Sequence, residues 1–158
     1  MRSSKTRLRL CACLLCLTLA FIWGNSLMPG EISDRLSHWV GRLLGGALDI
    51  PTDTQSGHGL LRKLAHISEC ALLGLLLCWR LGMAGRSGAD LAALTLAGGL
   101  TAACVDETIQ IFSAGRSSSL IDVWIDTSGT AAGMIFLLCG YHLLKRIKQN
   151  KQILEETT

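Results

Sequence analysis

Apolar positions along this chain gather in long blocks, and the polar ones fall between them or at a few fixed steps inside. The blocks run from about Leu8 to Leu27, Leu60 to Met83, Leu91 to Phe112 and Leu120 to Leu144. Each is near the ~20 residues that a helix rising ~1.5 Å per residue needs to cross ~30 Å of hydrocarbon. A lone strand would leave backbone groups unpaired in lipid, so the pattern predicts helices. Between the first two blocks, "EISDRLSHWVGRLLGGALDI" repeats apolar residues at three- and four-residue steps (Ile32, Leu36, Trp39, Val40, Leu43, Leu44, Ala47, Leu48). That period predicts an amphipathic helix along the outer surface, with Trp39 at headgroup level. "PTDTQSGHG" after it reads as a polar loop. The expected fold class is all-α: a polytopic membrane bundle of about four transmembrane helices plus an interfacial amphipathic helix between the first two.

Composition agrees with that expectation. The chain has 158 residues, the length of one domain, is 49% apolar and only 17% charged, with a mean hydropathy of +0.40. Those values exclude a disordered chain, and seven cysteines lying almost all inside the apolar blocks exclude a disulfide scaffold. "CACLLC" has metal-like spacing, but in hydrocarbon a thiol behaves as a small hydrophobe. Positive charges are split between the ends without aromatic interleaving, which excludes a nucleic-acid partner. The expected organisation is a basic N-terminus over 1–7, a transmembrane domain over 8–144 and a basic tail over 145–158.

The first block also has the basic start and apolar middle of a signal peptide. "GNSLMPGE" offers no small-x-small cleavage site, and "LCAC" precedes the apolar stretch when a lipoprotein box should end it, so a retained anchor is expected. With four spans, one side holds Arg2, Lys5, Arg7, Arg9, Arg80, Arg86, Lys145, Arg146, Lys148 and Lys151. The other side holds Arg35, Arg42, Arg62, Lys63 and Arg116. The ten-to-five excess predicts a multi-pass cell-membrane protein with both termini in the cytoplasm. Nine of the twelve acids then fall in the outer half.

Those acids fall on helical faces. Asp122, Asp126, Gly129 and Gly133 stand at i, i+4, i+7 and i+11, one face of the fourth span. Gly129 and Gly133 form a GxxxG that lets this face approach a neighbour closely, so it turns inward. In the third span Asp106 and Gln110 share a face with Gly99, and Glu107 is turned about 100° away. In the second span His66 and Glu69 share a face that Arg62 continues outward. Three helices therefore aim polar groups at one depth. A charge costs ~2.5–3.5 kcal/mol at the centre of a membrane helix, and five acids at half that value cost roughly 6–9 kcal/mol. That is comparable with the ~5–15 kcal/mol stability of a whole domain, so something must offset it. Protonation, Arg116, His66, a cation or water could each do so. Ser or Asn would have served packing at lower cost, which favours a functional site over structural pairing.

"KLAHISECALLGLLL" followed by "DETIQIFSAGRSSSLIDVWIDTSGTAAG" resembles the VanZ-like family of small bacterial membrane proteins. Lys63, His66 and Glu69 carry the resemblance in the second span, and Asp106, Glu107 and Gln110 carry it in the third. Gly115-Arg116, Asp122, Asp126 and the Gly129/Gly133 pair continue it, and "GNSLMPGEISDRLS" extends it weakly toward the N-terminus. Two positions depart from the family pattern: Cys70 stands where a tyrosine is usual, and Asp126 where an asparagine is usual. The resemblance implies a cell-envelope membrane protein, and the family's namesake is associated with low-level resistance to the glycopeptide teicoplanin.

The chemistry expected of the cluster is binding or modification of an anionic lipid headgroup or lipid-linked cell-wall precursor at the extracytoplasmic face. Lys63, His66 and Arg116 would hold phosphate, with Gln110 and Asp126 beside them as ligand-binding groups. His66, Glu69, Asp106, Glu107 and Asp122 are the candidate catalytic residues, acting as general bases or holding a divalent cation. No cofactor is specified by the sequence beyond that cation. The alternatives are a non-enzymatic small-solute or proton permease and a membrane partner protein. "SGH" (Ser56 to His58) matches a piece of the lipid phosphatase signature, whose other motifs are missing from the chain. Substrate, oligomeric state and any enzymatic step stay open at this level.

Overall fold

The computed structural model describes residues 2–32, 35, 39, 55–116 and 118–156. Four helices dominate it: α1 (Arg2–Leu27), α2 (Gln55–Met83), α3 (Gly88–Ile111) and α4 (Leu120–Glu156). All four are long and apolar enough to cross a membrane. The four expected spans lie within them, except that Phe112 caps α3 from outside it, and the class is all-α as the pattern predicts. The amphipathic segment 31–50 lies largely outside the described residues; within it only Glu31, Ile32, Arg35 and Trp39 are described, all as helical. α4 continues its helix through the basic tail as far as Glu156, and residues 139–153 are exposed throughout.

Local chemistry sets the helix ends. α2 stops in a Schellman motif: Gly85 takes φ +86, its N–H bonds to Gly82 O at 3.0 Å, and Arg86 N–H reaches Leu81 O at 3.1 Å. Only glycine adopts that left-handed angle without strain. α4 starts at Ser119, whose Oγ accepts from Ile121 N–H at 3.2 Å and whose carbonyl accepts from Asp122 and Val123. The α3–α4 connection turns through Gly115 at φ +74.

That connection also closes the far end of α1. The last carbonyls of a helix have no partner within it. Here Arg116 Nη2 donates to Asn25 O at 2.9 Å, Ser113 Oγ to Ser26 O at 2.6 Å, and Gly30 N to Ala114 O at 3.0 Å. A side chain at Gly30 would put its Cβ 2.6 Å from Gly115 O, so the chain after α1 lies directly on the turn.

Packing relies on small residues. α2 and α4 are the most closely joined pair. A Cβ on Gly129 would sit 2.7 Å from Ile67 O, and one on Gly133 or Gly74 would overlap the backbone of Ala71 or Thr130 respectively. Gly99 of α3 likewise receives the Thr130 side chain. Lipid tails are as apolar as leucine, so close van der Waals contact of this kind holds membrane helices together. Ile22, Leu73 and Ala102 join α1, α2 and α3 in one apolar cluster, while Cys78, Leu91 and Met134 join α2, α3 and α4 in another. Cys11, Cys70 and Cys78 are buried in this packing; Cys13, Cys16, Cys104 and Cys139 face outward.

Candidate functional site: a polar recess between three helices

The polar side chains collect where α3 ends and α4 begins, against the first half of α2. Asp106, Glu107, Gln110 and Asp126 are buried, at 0%, 4%, 7% and 2% exposure. Gln110 organises the α3 pair: its Nε2 donates to Asp106 Oδ2 at 2.8 Å and to Glu107 Oε1 at 3.1 Å. Glu107 Oε2 then accepts from the N–H of Ser119 at 2.7 Å. This places a carboxylate on the N-terminus of α4, where the helix dipole and the unpaired N–H groups favour negative charge by ~0.3–1 kcal/mol. Asp122 lies in the first turn of the same helix.

α4 adds Asp126 one turn further in, within electrostatic reach of Asp106, Glu107, Asp122 and Glu69. α2 adds Lys63 and His66. Lys63, His66, Glu107, Gln110, Asp122, Ile125 and Asp126 together line a recess with about 20 Å³ of room for the centre of a water-sized sphere. One water or one ion fits that space. Two of the lining residues meet a further acid there: a ring nitrogen of His66 and a carboxylate oxygen of each of Asp126 and the buried Asp106 lie within 4.8 Å of one another.

Glu69 shares a helix face with His66 but does not line the recess. Its Oε1 accepts from Asn25 Nδ2 of α1 at 3.1 Å, and it feels the charges of Asp106 and Arg116. Arg116 lies on this α1 side too, bound to Asn25 O. The three cations expected to act together are thus divided: Lys63 and His66 line the recess, while Arg116 closes α1 beside Glu69. Gly129 and Gly133 lie one and two turns below Asp126 on the same face, seated against α2.

Sequence reasoning missed Asn25, Ser113 and Ser119. Asn25 and Ser119 bond to acids of the cluster, and Ser113 ties α1 to the turn. "GNSL" at the end of the first span was a visible signal for Asn25, since an amide there must find a partner or face lipid. Ser119 acts through its backbone N–H, which leaves no mark on residue type. Glu107 is better integrated than its 100° offset implies, because the start of α4 lies on that flank of α3.

Four lipid-length helices around a buried acidic cluster define a small multi-pass membrane protein with a polar recess at one end of its bundle. The VanZ/LLP1 family model matches residues 11–144, and the chain belongs to that family. No curated protein and no solved structure matches it.

Proposed function

We propose that the recess and its rim bind the anionic headgroup of a membrane lipid or lipid-linked cell-wall precursor. The observation that carries the reading is the placement of Lys63 and His66 beside buried carboxylates at the lining of one recess. Lys63 is exposed at the mouth and supplies a mobile positive charge for phosphate. The recess itself takes only an ion or a water, so the headgroup lies over it. The excess of Lys and Arg on the opposite side and at both termini orients this end toward the cell exterior, with both termini in the cytoplasm. Family membership extends the proposal to glycopeptide tolerance, since a protein that holds an envelope precursor alters what teicoplanin can reach.

Native mass spectrometry of the detergent-purified protein tests the binding step. The wild type is expected to retain phosphatidylglycerol in preference to phosphatidylcholine, and Lys63→Glu to lose that preference. Equal retention of the two lipids by the wild type overturns the reading. Expression in a teicoplanin-susceptible host, with and without Asp106→Asn, then tests the link to resistance.

A further inference from the structure

Glu107, Asp122 and Asp126 line the recess, Asp106 and Glu69 lie within electrostatic reach of Asp126, and among the described residues the lining offers only Lys63 and His66 as basic side chains. A phosphate approaching that mouth meets net negative charge unless something inside neutralises it. We infer that His66, Asp106 and Asp126 hold a first-row divalent metal ion at the wall of the recess, beside the headgroup site. The inference deepens the headgroup reading and rests on the same recess.

Three observations support it. One ligand atom from each residue lies within 4.8 Å of the other two. Ligands around an ion at ~2.0–2.2 Å stand ~3–4 Å apart, so modest side-chain rotation closes the triangle. The three residues come from α2, α3 and α4, which are fixed against one another by the glycine contacts around Thr130, Ile67 and Ala71. Asp106 is fully buried, and among the described residues its Oδ1 has no hydrogen-bond partner. Its other oxygen is held by Gln110. A buried carboxylate oxygen without a donor is costly unless a cation meets it.

The donor set narrows the metal. Calcium and magnesium prefer all-oxygen shells, whereas one imidazole with two carboxylates suits zinc or manganese. Gln110 orients Asp106 from behind, as outer-shell groups do in metal sites. Three protein ligands leave at least one coordination position open, and because His66 and Asp126 line the recess, a headgroup arriving there could take it. A Zn²⁺ or Mn²⁺ ion there would convert an acidic pocket into an anion receptor.

Mn²⁺ is the probe of choice, because seven free cysteines would scatter Zn²⁺ while thiols bind Mn²⁺ poorly. Chelator-treated wild-type protein in lipid-free, uncharged detergent is titrated with Mn²⁺ and followed by loss of the free-ion electron paramagnetic resonance signal. One Mn²⁺ per chain is expected, displaced by Zn²⁺ and resistant to Mg²⁺. Asp106→Asn and Asp126→Asn should each weaken it by ~10-fold or more, and Asp90→Asn, on the exposed start of α3, should leave it unchanged. In the wild type, bound Mn²⁺ should broaden the His66 ring resonances at substoichiometric metal and spare those of His142, which settles the site even if a variant does not fold. Absence of stoichiometric binding by the wild type overturns the inference, as does broadening that favours His142. Because no lipid is present, either result leaves the headgroup reading to its own test.

Discussion

The two ends of α3 face the same neighbours and are built by opposite rules. Near its start Leu91 packs with Cys78 and Met134, and the buried Thr95 returns its hydroxyl to Leu91 O at 2.7 Å within its own helix. Near its finish Asp106, Glu107 and Gln110 take the equivalent inward positions, bonded to one another and, through Glu107, to the N–H of Ser119 at the start of α4. An open groove of about 520 Å³ lies beside the first end, lined by groups such as Trp79, Leu138 and Tyr141. The second end encloses a far smaller space among acids. Packing requirements are met at the first end with apolar and self-satisfied groups. Whatever the acids do at the second end, close packing did not require them.

The largest expected effect falls on what both ends share. Gly133 lies against Ala71 with no room for a Cβ. Gly133→Val should force α2 and α4 apart and cost at least the upper part of the ~1–3 kcal/mol typical of overpacking. Thermal unfolding in detergent should show a lower midpoint, and both clusters should loosen together. A midpoint equal to the wild type would mean that the glycine face does not hold the bundle.

Asp106→Asn should act in the opposite direction. Asparagine keeps an acceptor for Gln110 and removes a buried charge, so in the presence of chelator the variant should be more stable by about 1–3 kcal/mol. Stability gained with Mn²⁺ and lipid binding lost is the pattern of a site retained for function. Destabilisation comparable to Gly133→Val would make the cluster structural.

Much of this contrast is legible in the amino-acid sequence. Hydrocarbon thickness dictates block length, so the four spans followed from the apolar pattern. The i, i+4, i+7 arithmetic placed Asp122, Asp126, Gly129 and Gly133 on one face because a helix offers no other arrangement. What stayed hidden depends on pairings across long stretches of chain. Asn25 meets Glu69 from 44 positions away, and Ser113 meets Ser26 across 87. No local period records such contacts. The division of the cations was hidden for the same reason, since the place of Arg116 follows from where α1 ends in space.

Asn25→Ala probes one of those hidden pairings. It removes the amide that donates to Glu69 Oε1 and leaves a half-buried carboxylate oxygen without that donor. The expected loss is about 1–2 kcal/mol in the detergent unfolding assay, with Glu69→Gln restoring part of it by removing the charge. If Glu69→Gln restores nothing, the bond is incidental. Ser113→Ala should cost about 1 kcal/mol, since Ser26 O loses its donor at the end of α1.

Thr95→Val, at the apolar end, should have the smallest effect although Thr95 is as fully buried as Asp106. Valine matches threonine in shape and keeps the close contacts, so no cavity forms. The hydroxyl donates to Leu91 O, a carbonyl that the helix backbone already satisfies, so no acceptor is orphaned when the donor goes. The thiol of Cys78 loses a partner, but a thiol is a weak one in either direction. Even interhelical side-chain hydrogen bonds in membranes average only ~0.6 kcal/mol, and this one stays within a single helix. The unfolding midpoint of Thr95→Val should therefore shift by no more than the equivalent of about 0.5 kcal/mol, with Mn²⁺ binding unchanged. A shift as large as that of Asn25→Ala would show that burial alone, rather than unmet hydrogen-bonding demand, sets the cost at both ends of α3.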